Sequence, residues 1–359
     1  MTPADLIRED ILSLRAYHVP DSAGLIKLDA MENPYPWPEA LREDWLAVLR
    51  EAELNRYPDP QGHDLQAALR EAMGVPLDMA LLLGNGSDEL IQMLALALAK
   101  PGRKVLSLDP GFVMYRMIAL FAGMDYVGVP LRASDFALDL DATLTAIARE
   151  QPVLTYIAYP NNPTGNLFDA AAVERIIQAS PGLVIVDEAY APFTDQSFLP
   201  RLGDWPNLLV MRTVSKMGLA GLRLGYLAGP REWLTEIDKV RLPYNINALT
   251  QASASFALRH HTAWDEQTAT IRAERAKLFD ALAASDGITP YPSEANFILV
   301  RTEPGRAGAV FQGIKDRGVL IKQLHGAHPL LADCLRITVG TPQENAALLT
   351  ALEAALSMD

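Results

Sequence analysis

Short, continuous apolar runs recur along the middle of the chain. Between them, apolar positions return every three or four residues. "KVLSLD" (104–109), "VLTYIAY" (153–159), "GLVIVDE" (182–188), "NLLVMRT" (207–213) and "GYLAG" (225–229) are rich in Val, Leu and Ile. They lack polar alternation, the pattern of strands buried on both faces. Helix-length segments lie at 87–99, 112–122, 139–150 and 169–179. Strands alternating with helices predict an α/β fold with a mostly parallel sheet covered on both sides.

From about residue 230 the texture changes. "PREWLTEIDKVRL" (230–242) reads as a helix and Pro243 interrupts it. Residues 248–285 read as one long helical stretch. Short strands follow near 295–301 and 334–340, then a closing helix at 342–357. This predicts a smaller α+β unit. The expected division is an N-terminal arm (1–35), a large α/β domain (36–245) and a small C-terminal domain (246–359).

Several predicted strands end in residues able to do chemistry. "LLLGNGSDELIQ" (81–92) runs from strand through a glycine turn into a helix, with Ser87 as N-cap and Asp88 and Glu89 in the first turn. Free N–H groups at such a start bind anions. "AYPNNPTGNLF" (158–168) is a turn-rich loop after a strand, and in open α/β sheets ligands bind at the carboxyl ends of parallel strands. "LVIVDEAYAPF" (183–193) ends a buried strand in Asp187 and Glu188. A carboxylate there is costly unless paired, so it caps a helix or holds a cationic ring nitrogen or a metal. Tyr190 follows three residues on. "TVSKMGLAGLRLGY" (213–226) groups Thr213, Ser215, Lys216 and Arg223 with glycines that permit close backbone approach. Arg suits phosphate, and a desolvated lysine beside another cation becomes nucleophilic. Arg336, in the apolar run "DCLRITVG", calls for an anionic partner.

Composition narrows the field. The 359 residues are 50% hydrophobic and 21% charged, with a formal net charge of −13. An acidic chain has no bulk attraction for nucleic acid or anionic lipid. The single cysteine, Cys334, allows no internal disulfide, and the six histidines show no metal-ligand spacing. The N-terminus lacks a basic signal-peptide region, and the longest apolar stretch, 90–99, is too short to cross a bilayer. A cytoplasmic protein with no metal is expected.

Taken in order, "GNGSDEL", "YPNNPTG", "DEAY" and "SK…GLAGLRLGY" resemble the fold-type I pyridoxal-phosphate enzymes of the aspartate aminotransferase superfamily. "IKLDAMENPYPWP" (26–38), "NRYPDPQGHDLQAAL" (55–69), "KVRLPYNIN" (239–247) and "PSEANFILVR" (292–301) look like the histidinol-phosphate aminotransferase family within it. The resemblance covers nearly the whole chain and implies a sheet of the seven-stranded type. It implies pyridoxal 5′-phosphate as cofactor, with Lys216 tied to the cofactor aldehyde and then acting as general base. Asp187 would pair with the pyridinium nitrogen, and Asn162 and Tyr190 would hold the 3′ oxygen. Phe112 would stack on the ring. Ser87, Asp88, Thr213, Ser215 and Arg223 would cup the phosphate, joined by Tyr57 from a neighbouring subunit, which implies a homodimer with shared sites. Arg336 would grip the anionic end of the substrate, with Tyr17, Asn33 and Tyr244 lining its pocket. The implied reaction joins a small-molecule amino donor, histidinol phosphate, to a 2-oxo acid, 2-oxoglutarate, giving imidazole-acetol phosphate and glutamate.

Two features depart from the family pattern. The step from Lys216 to Arg223 is one residue short, so the turn must tighten. Met31 stands where the family has an amide. Aromatic aminotransferases and threonine-phosphate decarboxylases share much of the motif set and stay open as alternatives. A non-enzymatic cofactor-sensing regulator lacks support, because the chain is acidic and no DNA-binding module precedes residue 30.

Overall fold

The computed structural model describes residues 1–14, 16 and 19–357. Tyr17, expected in the substrate pocket, lies outside the described residues. Strands are numbered in chain order, beginning with β1 (Ile26–Lys27). The large sheet is built from β2 (Ala80–Gly84), β3 (Lys104–Asp109), β4 (Asp125–Pro130), β5 (Leu154–Ala158), β6 (Leu183–Asp187), β7 (Leu208–Thr213) and β8 (Gly225–Gly229). Their spatial order is β2-β8-β7-β6-β5-β3-β4. Only β8 opposes its neighbours; the others run one way. The central strands β5, β6 and β8 are buried at every position, as their unbroken apolar runs require.

Two apolar cores cover the faces of this sheet. One includes Leu106, Val184, Val210 and Tyr226, and the other Val105, Ile185, Leu209 and Leu227. The second sheet holds β9 (Ile288–Pro290), β10 (Phe297–Thr302), β12 (Lys322–Gln323) and β13 (Cys334–Thr338), all antiparallel. The N-terminal β1 pairs in parallel with β11 (Val319–Leu320), which ties residues 26–27 to the C-terminal unit. A third core, with Leu28, Phe297, Ile337 and Leu348, fills that unit.

The strands predicted at 104–109, 153–159, 182–188, 207–213 and 225–229 are present to within a residue at each end. The single helix expected over 248–285 is two, Ala248–Arg259 and Thr262–Ala283. They part at His260 and His261. Ala254, Ala257 and Leu258 of the first enter the same core as Trp264 at the start of the second, while Ile271, Leu278 and Leu282 further along the second enter the other. Strand β4 escaped the sequence pattern because it is an edge strand with little buried surface. Among the described residues no helix is long and apolar enough to cross a membrane.

Candidate active site

Parallel strands deliver their following residues to one edge of the sheet. The register aligns Ala158 with Asp187 and Asp187 with Met211, while Gly84 and Thr213 both face Gly225. One cavity opens there. It is lined by Met31, Ser87, Asp88, Phe112, Asn162, Asp187, Tyr190, Thr213, Ser215, Lys216 and Arg223, with Ala158, Pro160 and Ala189. Residues from five strand ends, scattered over more than a hundred positions, therefore meet in one place.

Lys216 sits in a one-turn 3₁₀ segment, Ser215–Met217. Its Nζ donates to the carbonyl of Ala30 at 3.2 Å and lies 6.0 Å from the centre of the Tyr190 ring. Enclosure of the amine pulls its pKa down to about 8, helped by the nearby Arg336 and Arg223 charges and opposed by Glu32 and Asp88. A second 3₁₀ turn, Ala220–Leu222, follows, and Arg223 adopts a left-handed backbone (φ 49°). The turn that is one residue short thus closes through two 3₁₀ segments and one left-handed residue.

Asp187 is buried at the end of β6. Its Oδ2 accepts from the Tyr115 hydroxyl at 2.5 Å and its Oδ1 from the Ala189 N–H at 3.1 Å. Burial raises its pKa to about 6, although both hydrogen bonds favour the ionised form. Strand alternation turns Glu188 to the opposite face. There it accepts from Arg212 at 2.7 Å, from the Ser197 hydroxyl at 2.9 Å and from the Phe198 N–H at 2.5 Å. Of the two adjacent carboxylates, one is neutralised structurally and one faces the cavity.

Asn162 Nδ2 donates to the Tyr190 hydroxyl at 3.1 Å, and that hydroxyl donates to Met31 Sδ at 3.1 Å. Burial pushes the Tyr190 phenol pKa up, so it stays neutral. Arg336, on β13, sends Nη1 to Asn162 Oδ1 at 2.6 Å and Nη2 to the Asp29 carbonyl at 3.0 Å.

Gly86, not Ser87, is the N-cap of the helix Ser87–Leu98, and among the described residues no side chain caps its N-terminus, so its first N–H groups are available. Arg223 extends across Gly86, where a Cβ would stand 2.6 Å from Nη2, and lies 3.8 Å from Asp88. Thr213 Oγ1 and Ser215 Oγ bond each other at 2.9 Å beside them. Backbone donors, a hydroxyl pair and a guanidinium converge as an anion cup.

Two residues expected in this chain's substrate pocket, Asn33 and Tyr244, stand elsewhere. Asn33 does not line the cavity: its Nδ2 donates to the Met217 carbonyl and to Gln267 Oε1, both at 2.9 Å, and its Oδ1 accepts from the Tyr35 N–H at 2.8 Å. It braces the loop that carries Lys216. Tyr57 and Tyr244 stack on each other (centroids 4.4 Å, 16°) away from the cavity, and Tyr57 is 80% exposed. Conversely, the motif reading missed Tyr115. It lies three residues beyond Phe112, in the first turn of the helix that Phe112 precedes, and that spacing was the available signal.

A parallel sheet with one reversed strand brings an enclosed lysine, a buried carboxylate and the open N–H groups of a helix start to one cavity. Residues 23–352 match the aminotransferase class I and II family, and the chain belongs to it. Among relatives, it is 57% identical over 356 residues to histidinol-phosphate aminotransferase 2 of Cupriavidus pinatubonensis, covering 98% of this chain and 96% of that one. It is 56% identical to the histidinol-phosphate aminotransferase of Chromobacterium violaceum, covering 98% of each. The crystal structure of histidinol-phosphate aminotransferase from Sinorhizobium meliloti, in complex with pyridoxal-5′-phosphate, superposes with a TM-score of 0.86 at 28% identity, covering 98% of both chains.

Proposed function

We propose that the chain is a pyridoxal-phosphate-dependent aminotransferase acting in histidine biosynthesis, exchanging an amino group between histidinol phosphate and 2-oxoglutarate. The observation that carries this reading is the enclosed Lys216 amine in one cavity with the buried Asp187. The near-full-length likeness to histidinol-phosphate aminotransferases supports the substrate.

The residues fit the cofactor. Lys216 supplies the amine, and the cup of Ser87 and Asp88 N–H groups, Thr213, Ser215 and Arg223 suits a phosphate. Asp187 suits a protonated ring nitrogen, while Asn162 and Tyr190 offer polar groups to the 3′ oxygen. Phe112 offers a ring face. When bound, pyridoxal phosphate supplies an electron sink for the pair left at the substrate α-carbon. With it bound, Lys216 Nζ would take the proton from that carbon and return it one position away, and Asp187 would keep the ring nitrogen protonated. Arg336 binds the phosphate of one substrate and the carboxylate of the other, because its forked donors suit both.

The reading extends to assembly and organisation. The chain acts as a cytoplasmic homodimer, with the domain division at residues 35 and 245. Tyr57, Leu242, Tyr244 and Leu249 are all exposed, which suits burial against a second copy. Tyr57 would then serve the phosphate cup of the partner subunit.

The test is kcat/KM for histidinol phosphate against phenylalanine and threonine phosphate, with 2-oxoglutarate as acceptor. Histidinol phosphate should win by at least about tenfold. Preference for phenylalanine would replace the substrate and keep the reaction class; carbon dioxide release from threonine phosphate would overturn both.

A further inference from the structure

We infer that Tyr115 is a positioning residue for the cofactor site: its hydroxyl holds Asp187 ionised and aimed, while its ring backs Phe112. Three observations carry this. The Tyr115 hydroxyl donates to Asp187 Oδ2 at 2.5 Å, a charge-assisted contact inside the core. The Tyr115 side chain is only 1% exposed, so water cannot replace that donor. Its ring is clamped on both sides, parallel to Tyr156 (centroids 4.4 Å, 4°) and edge-on to Phe112 (5.5 Å, 85°). A clamped ring fixes where the hydroxyl points.

The other groups around Asp187 explain why the donor matters. Asp88 and Glu188 are carboxylates that disfavour its charge. The phenols of Tyr156 and Tyr190 are buried and neutral, and among the described residues the Tyr156 hydroxyl has no hydrogen-bond partner. Lys216 lines the same cavity. Among the described residues, only Tyr115 and the Ala189 N–H donate to the carboxylate. Burial works against the ionised form that the ring nitrogen requires, and Tyr115 opposes burial.

The inference rests on Asp187 meeting the cofactor ring, and the experiment separates the two ideas. The full chain is stripped of cofactor, and pyridoxal-phosphate affinity is titrated by absorbance across pH for the wild type, Tyr115→Phe and Tyr156→Phe. Tyr115→Phe should bind about tenfold more weakly at neutral pH, and the acid limb of its affinity profile should move to higher pH, because Asp187 then protonates sooner. Tyr156→Phe should leave that limb in place. A Tyr115→Phe profile parallel to wild type, whether level with it or uniformly weaker, would reduce Tyr115 to packing and overturn the inference. Loss of pH dependence in the wild type itself would instead overturn the role of Asp187. If the Phe variant fails to fold, 3-fluorotyrosine at position 115, a stronger donor of nearly the same size, must move the limb to lower pH. No movement would again refute the inference.

Discussion

Arg336 and Asn162 lie 174 positions apart, yet the guanidinium donates to the amide oxygen at 2.6 Å. Arg336 belongs to the antiparallel sheet and Asn162 to the loop after β5 of the large sheet. Asn162 passes the contact to Tyr190, and Tyr190 to Met31. An anion arriving on Arg336 therefore acts on a side chain already linked to the residues proposed to hold the cofactor. Arg336→Lys keeps the charge and loses the fork. KM for both the amino donor and the 2-oxo acid should rise by about tenfold or more, measured in separate half-reactions. A rise for only one would break the dual role.

The lowered pKa of Lys216 has a kinetic signature. Its amine is neutral above about 8 rather than above 10.5. Capture of pyridoxal phosphate by the stripped chain should accelerate about tenfold per pH unit up to about 8 and then level off. An ordinary lysine would keep accelerating for two further units. Borohydride treatment should label the Lys216 peptide in the wild type, and no peptide in Lys216→Ala.

Asp187→Asn should separate stability from function. The folded-state pKa of Asp187, about 6, stands above its ordinary 3.8. The folded chain therefore binds more protons than the unfolded one between those values, and this residue's contribution falls as pH rises through that window. At pH 7 the ionised carboxylate costs the cofactor-free fold up to about 3 kcal/mol. Asp187→Asn should raise the denaturation midpoint of the stripped chain at pH 7 and leave it unchanged below pH 4. The same variant should lose on the order of 3 kcal/mol or more of transition-state stabilisation. Near-normal kcat would exclude the proposed role.

Asn33→Ala tests a brace rather than a pocket wall. Removing the amide frees the Met217 carbonyl and Gln267 next to Lys216. Stability should fall by about 1–3 kcal/mol and cofactor should dissociate faster, with KM within about twofold of wild type. A raised KM with unchanged cofactor retention would return Asn33 to the substrate pocket.

Mixing Lys216→Ala with Tyr57→Ala chains tests the shared site. Each hybrid dimer would hold one site with Lys216 in the chain and Tyr57 from its partner. Random pairing should restore about a quarter of wild-type turnover. Recovery of nothing, or an active monomer in sedimentation, would confine each site to one chain.

The sequence by itself determined the elements that bury themselves uniformly and the residues at their ends. Strands β5, β6 and β8 were legible because both faces are covered, which demands an unbroken apolar run. Lys216 and Asp187 were legible because an amine or a carboxylate at the end of such a strand is costly without a purpose, and the helix start at Ser87 because a glycine turn precedes it. Edge strand β4 and the break at His260 were not, since neither changes the local apolar pattern. Only the tertiary structure decided what neutralises Glu188, which Arg212, Ser197 and the Phe198 N–H hold. It sent Asn33 to the Met217 carbonyl, stacked Tyr57 on Tyr244, joined Arg336 to Asn162 and brought Tyr115 to Asp187. Those outcomes depend on contacts between residues tens to hundreds of positions apart, and a side chain's partner across such a distance is set by how the layers pack, which leaves no periodic trace along the chain.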